Sequence, residues 1–315
     1  MRLAGLGARE RAAALVLGAL LAILAIAAPG FFSPDNLRDI LMANAAVLII
    51  ALGMTLVVLT GEVDVSVGAT FAVCAVVAGT LARDGLGMPA AVATAIFVGA
   101  AIGFLNGALV GAMRLPSIVV TLAMLAILRD GLRWITEGAW VRDLPSAFQW
   151  FGFDQVIGRI LVIGSAVILT ALAGWVLRGI AAGRAIYATG SDRESAHLTG
   201  LAPTLVIVSV FVACGVLTAI AAVLNAVRFA EVQGAVIGGL ELKVIAAVIV
   251  GGVAIRGGRG SIAGAVLGVA LLGTIGTGLT FLGISAYWER ALQGTIILAA
   301  IASDRLTAGH ARGQA

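Results

Sequence analysis

The feature that most restricts this chain is a succession of long apolar runs separated by short polar turns. Ile40 to Thr60, Val65 to Ala82, Met88 to Met113, Ile160 to Leu177 and Thr204 to Val227 contain no charged residue. Runs of about 20 residues, rising about 1.5 Å each as helices, match a hydrocarbon core about 30 Å thick. The whole composition agrees, with 61% hydrophobic and 11% charged residues among 315 and a mean hydropathy of +1.12. Such a chain belongs in a bilayer, and its fold class is an all-α integral membrane protein. The isoelectric point near 9.8 does not point to nucleic acid, because arginines scattered between the runs form no patch. They act instead on topology.

In chain order, Arg2, Arg9 and Arg11 precede a first run from Ala12 to Ala28. It reads either as a cleaved leader or as a retained helix with a cytoplasmic anchor. Phe31 to Asp39, with Pro34, Asp35 and Asn36, reads as an external connection. The fifth run, from Ile118, meets Arg129 after Leu128 and is too short to cross alone, so its outer end must lie in protein or a water-filled cavity. There Asp130 can neutralise Arg129 or Arg133. Glu137 to Arg159 is the longest external segment, and Trp140, Phe148, Trp150, Phe151 and Phe153 within it suit a membrane interface. Further spans are expected at Ala235 to Ile255, Ile262 to Ile284 and Ala291 to Ala302. About ten spans result, in a single domain covering 1–315, and an even number puts both termini on the cytoplasmic side with the terminal arginines.

Polar residues inside this frame are few. Glu62 and Asp64 sit in the turn between the second and third spans. Two readings fit: functional acids beside the membrane, or a tight turn in which Asp64 and Ser66 cap the next helix. Gly103 and Gly107 have the spacing that lets two helices touch, and Asn106 suits a hydrogen bond between helices or contact with a ligand. Glu241 and Lys243 lie in the outer half of the eighth span, Glu241 either facing a solute or snorkelling outward. The glycine-rich stretch 250–269 lacks a G-x-x-x-x-G-K-[ST] pattern, so the chain has no P-loop of its own. Cys74 and Cys214 lie inside apolar runs as small core residues. Catalytic residues, metal ligands and cofactors are not expected.

One polar island stands apart, Gly183 to Pro203. Ser191 and Glu194 have capping-box spacing, Gly200 supplies a stop and Pro203 forbids continuation, which predicts a short surface helix. Arg184, Arg193, Glu194 and His197 project from it. It is either a solvated loop or a docking surface.

Several stretches resemble the permease subunits of bacterial sugar-type ABC importers, the group serving ribose, xylose, arabinose, rhamnose and autoinducer-2. Gly183, Arg184, Tyr187, Ala188 and Gly190 match the G-R-x-x-Y-A-x-G of that family's cytoplasmic coupling loop, with Ser191 and Asp192 in place of the usual Gly-Asn. Leu59, Thr60, Gly61, Asp64, Ser66 and Gly68 are similar to its L-T-G-G-I-D-L-S-V-G signature, with Glu62 replacing a glycine. Residues 103–125 resemble its G-x-x-N-G to P-x-I-x-T-L segment, and Gly251, Gly252, Gly257, Gly258, Gly260, Gly264 and Gly268 its second glycine signature. Trp140, Leu144 and Pro145 look most like the rhamnose and autoinducer-2 branch. The two glycine turns, Gly61 to Gly68 and Gly257 to Gly264, echo each other as a duplicated design would.

The resemblance implies a permease in the bacterial inner membrane that imports a monosaccharide, a rhamnose-like sugar or autoinducer-2 foremost. Its partners would be separate ATPase subunits, a periplasmic or lipid-anchored solute-binding protein, and a second permease copy or homologue. It makes Arg184, Tyr187, Gly190, Ser191, Asp192, Glu194, His197 and Gly200 the coupling loop. Asn106, Arg129, Asp130 and Glu241 become candidates for the substrate path, and Trp140, Arg142, Asp143, Glu231 and Glu289 for receiving the binding protein. The alternative function is an ion-coupled secondary transporter of a small polar solute.

Overall fold

The structure is a computed structural model that describes residues 7–236 and 238–285, with Trp288, Glu289, Ala291, Leu292, Gly294, Thr295 and Leu298 beyond them. Among the described residues its regular elements are all helices, apart from one isolated antiparallel bridge between Val141 and Val232. Helix α1 covers Ala8–Ala27, α2 Pro34–Leu59, α3 Val67–Arg83, α4 Met88–Gly111, α5 Ser117–Thr136 and α6 Gln155–Gly179. Two short helices follow, α7 (Ala181–Ser191) and α8 (Arg193–Leu198), then α9 (Pro203–Ala226), α10 (Leu240–Val250) and α11 (Ile262–Phe281). Six of these, α1, α2, α4, α6, α9 and α11, are long and apolar enough to cross a bilayer.

Several expected boundaries shift. The connection expected over Phe31 to Asp39 is mostly helix. A 3-10 turn over Pro29–Phe32 buries Phe31 edge-on against Phe32 and Phe281, and α2 then starts at Pro34, whose fixed φ and missing N–H suit a first helical position. The external segment ends early, because the Asp154 carboxylate accepts from Val156 N at 2.7 Å and Ile157 N at 3.1 Å and starts α6 at Gln155. The eighth span is the largest departure. Only Leu240–Val250 is helical, 11 residues, because Gly239 takes a left-handed φ of 109° and Gly252 one of 95°. The expected span Ala291 to Ala302 falls largely outside the described residues.

Helix α2 forms the centre, with Ile49, Ile50, Leu52, Met54 and Val57 fully buried. Helices α4 and α9 meet backbone to backbone along Gly99, Gly103, Gly107 and Gly111, which face Gly215, Phe211, Val208 and Thr204. A Cβ at Gly103 would collide with the Phe211 carbonyl, so this four-residue glycine repeat is a packing device, as its spacing predicted. In lipid, such close van der Waals contact replaces the hydrophobic drive that packs soluble helices. Cys74 and Cys214 are buried and free.

Candidate functional site

Two regions gather the polar residues, and the first is built on backbone. At the end of α2 the chain turns through Gly61 with φ 82°, and after α10 it turns through Gly257, Gly258 and Gly260, all at positive φ. These turns touch: Gly258 N donates to Leu59 O at 2.9 Å, and a Cβ at Gly257 would lie 2.7 Å from Gly61 N. The end of α7 sits on both. Tyr187 donates its hydroxyl to Gly260 O at 2.8 Å, while Gly190 leaves no room for a side chain against Leu59 O and Gly258 N. The guanidinium of Arg193 pairs with the buried carboxylate of Glu62. A single surface element therefore grips the ends of two helix pairs.

The polar island itself differs in detail from its sequence pattern. Helix α7 runs through Ser191, whose hydroxyl is occupied with Tyr187 O at 2.9 Å, so Ser191 cannot cap the next helix. Asp192 caps α8 instead, accepting from Glu194 N at 3.0 Å, Ser195 N at 3.3 Å and the Ser195 hydroxyl at 2.6 Å. Those bonds, the Ser195 hydroxyl first, hold its carboxyl below the usual range. Gly200 turns the chain with φ 86°, as expected for a stop. Arg184, Glu194 and His197 are exposed on the outside of this element. Leu198, 81% exposed at the end of α8, is an apolar tip that polar patterning did not single out.

The acid turn above this junction is a structural lock. Asp64 accepts from Ser66 N at 2.9 Å and the Ser66 hydroxyl at 2.6 Å, and Asn106 of α4 donates to the same hydroxyl at 2.9 Å. Ser117 and Thr121 of α5 bind the backbone of Val63. Ser66 stands at the start of α3 without donating or accepting a cap bond along it, so the expected cap is replaced by this cross-helix network. Burial pushes the Asp64 carboxyl up against these hydrogen bonds.

The second region is a cavity of about 620 Å³ between α2, α3 and the chain after α9. Alanine is the commonest residue of its walls, with Phe71, Trp140 and Phe229 as aromatic faces and Asn225, Glu231 and Gln233 as polar groups. The long external segment is tied across it. Val141 and Val232 exchange backbone hydrogen bonds of 2.8 and 3.0 Å, Thr136 donates to Gly234 O at 2.6 Å, and Arg142 pairs with Glu231 at 3.3 Å. Thus Trp140, Arg142 and Glu231 are brought together, with Asp143 beside them at φ 57°. Glu289 is apart, bonded to Lys243 at 3.1 Å.

Of the path candidates, none lines this cavity. Asn106 is fully buried beside Ser66. Asp130 neutralises neither Arg129 nor Arg133; Arg129 lies 3.8 Å from Glu241 instead, since adjacent helical positions diverge by about 100°. Glu241 is buried rather than snorkelling, one oxygen accepting from Gly239 N at 3.2 Å and the other, without a partner, packed against Gly68 in the cavity wall.

The profile of the family described as the branched-chain amino acid transport system permease component matches residues 36–301. The chain belongs to that family. The ribose import permease protein RbsC of Escherichia coli K12 is 33% identical over 299 residues, covering 94% of this chain and 93% of the relative. The autoinducer 2 import system permease protein LsrC of Yersinia pseudotuberculosis IP 31758 is 34% identical over 297 residues, 94% and 84% of the two chains. No solved structure matches. The permease is therefore a multi-pass protein of the inner membrane, and the resemblance to sugar-type importers stands.

Proposed function

We propose that the permease is the membrane subunit of an ABC importer that moves a monosaccharide inward, with a rhamnose-like sugar or autoinducer-2 as preferred cargo. The observation that carries this is the seating of α7 on both inner glycine turns. Helices α7 and α8, with Arg184, Tyr187, Gly190, Ser191, Asp192, Glu194, His197 and Gly200, form the coupling element that a separate ATPase pushes. Because backbone meets backbone there, a push on α8 reaches the α2–α3 and α10–α11 turns without a soft side chain between. Helices α2 and α3 also wall the cavity, so the same displacement changes its shape. Alternate opening of the two faces follows from two discrete seatings of α7.

The cavity suits a sugar. Its volume lies within the range of small-molecule sites, aromatic faces receive the C–H surfaces of a ring, and a few polar groups meet hydroxyls. The relatives named for ribose and for autoinducer 2 match about equally, and the external W-x-x-x-L-P element supports the second. Trp140, Arg142, Asp143 and Glu231, at the outer edge, receive a solute-binding protein.

Uptake of labelled L-rhamnose, D-ribose and autoinducer-2 by cells of the native host tests the energetics. ATP depletion should abolish permease-dependent uptake, whereas an uncoupler applied with ATP held high should leave it intact. The opposite pattern would favour the ion-coupled transporter.

A further inference from the structure

The cavity lies between walls of different build, and they are fastened unequally. On one side α2 presents Ala43, Ala46 and Val47 from a single helical face. On the other, α9 ends at Ala226 and gives way to irregular chain, from which Phe229, Glu231 and Gln233 line the space. Irregular backbone must find partners outside a helix ladder. It finds them in the external segment: Trp150 N donates to Val227 O at 2.8 Å, Val141 and Val232 exchange two bonds, and Gly234 O accepts from Thr136. This wall and the external segment are therefore one body. Toward α2 the same wall has one polar tie. Arg228 Nη1 donates to Met42 O at 2.9 Å, and among the described residues no other hydrogen bond or ion pair joins 34–47 to 225–236.

Arg228 is held ready for that reach. Asn225 Oδ1, one turn back, accepts from the same nitrogen at 3.3 Å, and the guanidinium lies over the Phe229 ring, 5.4 Å from its centroid. A cation over an aromatic face keeps its N–H donors for other partners. Met42 O, a helix carbonyl, has a second lone pair to offer. Asp39, one turn outward on α2, attracts the guanidinium further. Met42 stands about 12 Å into α2 from Pro34 and one turn before Ala46, so the tie crosses the cavity on the side of the external segment.

We infer that Arg228 is the latch of the cavity's outer mouth. It holds the wall 225–235 against α2 at Met42, and outward opening releases this bond while the wall stays with the external segment. A hydrogen bond from a charged donor favours the closed state about 10–150-fold, enough to keep a mouth shut and little enough for a docked partner to release. A protein seated on Trp140 and Glu231 grips the body that has to move. The inference rests on the reading of this cavity as the cargo path. Its test reads neither sugar nor ATP, so the two can fail separately.

The full-length permease is expressed in its host with Ala46→Cys, and spheroplasts are treated from outside with a membrane-impermeant charged maleimide. Cys74 and Cys214 stay in place, since both are fully buried. Labelling should be slow while Arg228 is present. Arg228→Met, which keeps an extended side chain without the donors, should speed it at least about tenfold, and Arg228→Lys should fall between. Two further cysteines calibrate the rate: Ala230→Cys, exposed in the cavity wall, should label fast in either background, and Ala51→Cys, fully buried on α2 away from the cavity, in neither. Ala46→Cys labelled as fast as Ala230→Cys with Arg228 intact would overturn the latch, and so would equal rates with and without Arg228. Ala51→Cys accelerated together with Ala46→Cys, or Ala230→Cys left unlabelled, would overturn it too.

Discussion

Gly190→Val is expected to stop uptake while the permease remains in the membrane at its normal level. Gly190 meets Leu59 O and Gly258 N with no space for a Cβ. Backbone on both sides cannot rotate away, so α7 must lift from the two turns. Overpacking costs about 1–3 kcal/mol, a factor of about 5–150 in the population of the seated state. The proper control is Gly174→Val in α6, a glycine with nothing within 4 Å. Uptake and immunoblot measured together decide: Gly190→Val should transport at least about fivefold less than Gly174→Val at equal membrane content. Equal transport would show that α7 does not need this seat.

The second large effect concerns the link between Glu62 and Arg193, 131 positions apart and the ionic tie between the first glycine turn and α8. The Glu62 side chain is 10% exposed and that of Arg193 45%. Breaking a buried pair costs about 3–5 kcal/mol, and the half-exposed arginine reduces this to about 2 kcal/mol. Glu62→Lys sets two cations together, and Arg193→Glu two acids. Each should cut sugar-stimulated ATP hydrolysis by the assembled importer about 30-fold. The double exchange, Glu62→Lys with Arg193→Glu, should recover most of it. Recovery is the informative part, because a variant that merely misfolds has no reason to be rescued by its partner. Two impaired singles and an equally impaired double would mean the pair does not transmit the push.

Much of this architecture is legible in the residues because lipid imposes a simple rule on composition. The apolar runs give α2, α4, α6, α9 and α11 nearly in place, and Gly103 and Gly107 announce a close helix contact, though α9 as its partner shows only in the fold. What stays hidden is hidden for local reasons. Residues 235–255 are as apolar as a full span, so only backbone conformation, left-handed at Gly239 and Gly252, shows that α10 is a half-length helix. Ser191 and Asp192 are equally good caps by type. The choice falls to Asp192 because Ala181 to Ser191 forms a helix of its own, which a short stretch interrupted by Gly183 and Gly190 does not advertise. The echo between the two glycine turns is visible in the sequence, but their touching each other and Gly190 is a long-range fact. Likewise Arg129 looks paired with its neighbour Asp130 until the helix turns it toward Glu241.

The proposed role of α7 and α8, as the place where a separate ATPase drives this permease, is tested by co-purification from the native host in mild detergent, with and without Asp192–Leu198. The full-length chain should carry an ATPase with a P-loop, and both the deletion and Glu194→Lys should lose it while remaining in the membrane. An ATPase retained by the deletion variant, or a full-length chain that emerges alone where other importers stay assembled, would contradict the coupling assignment.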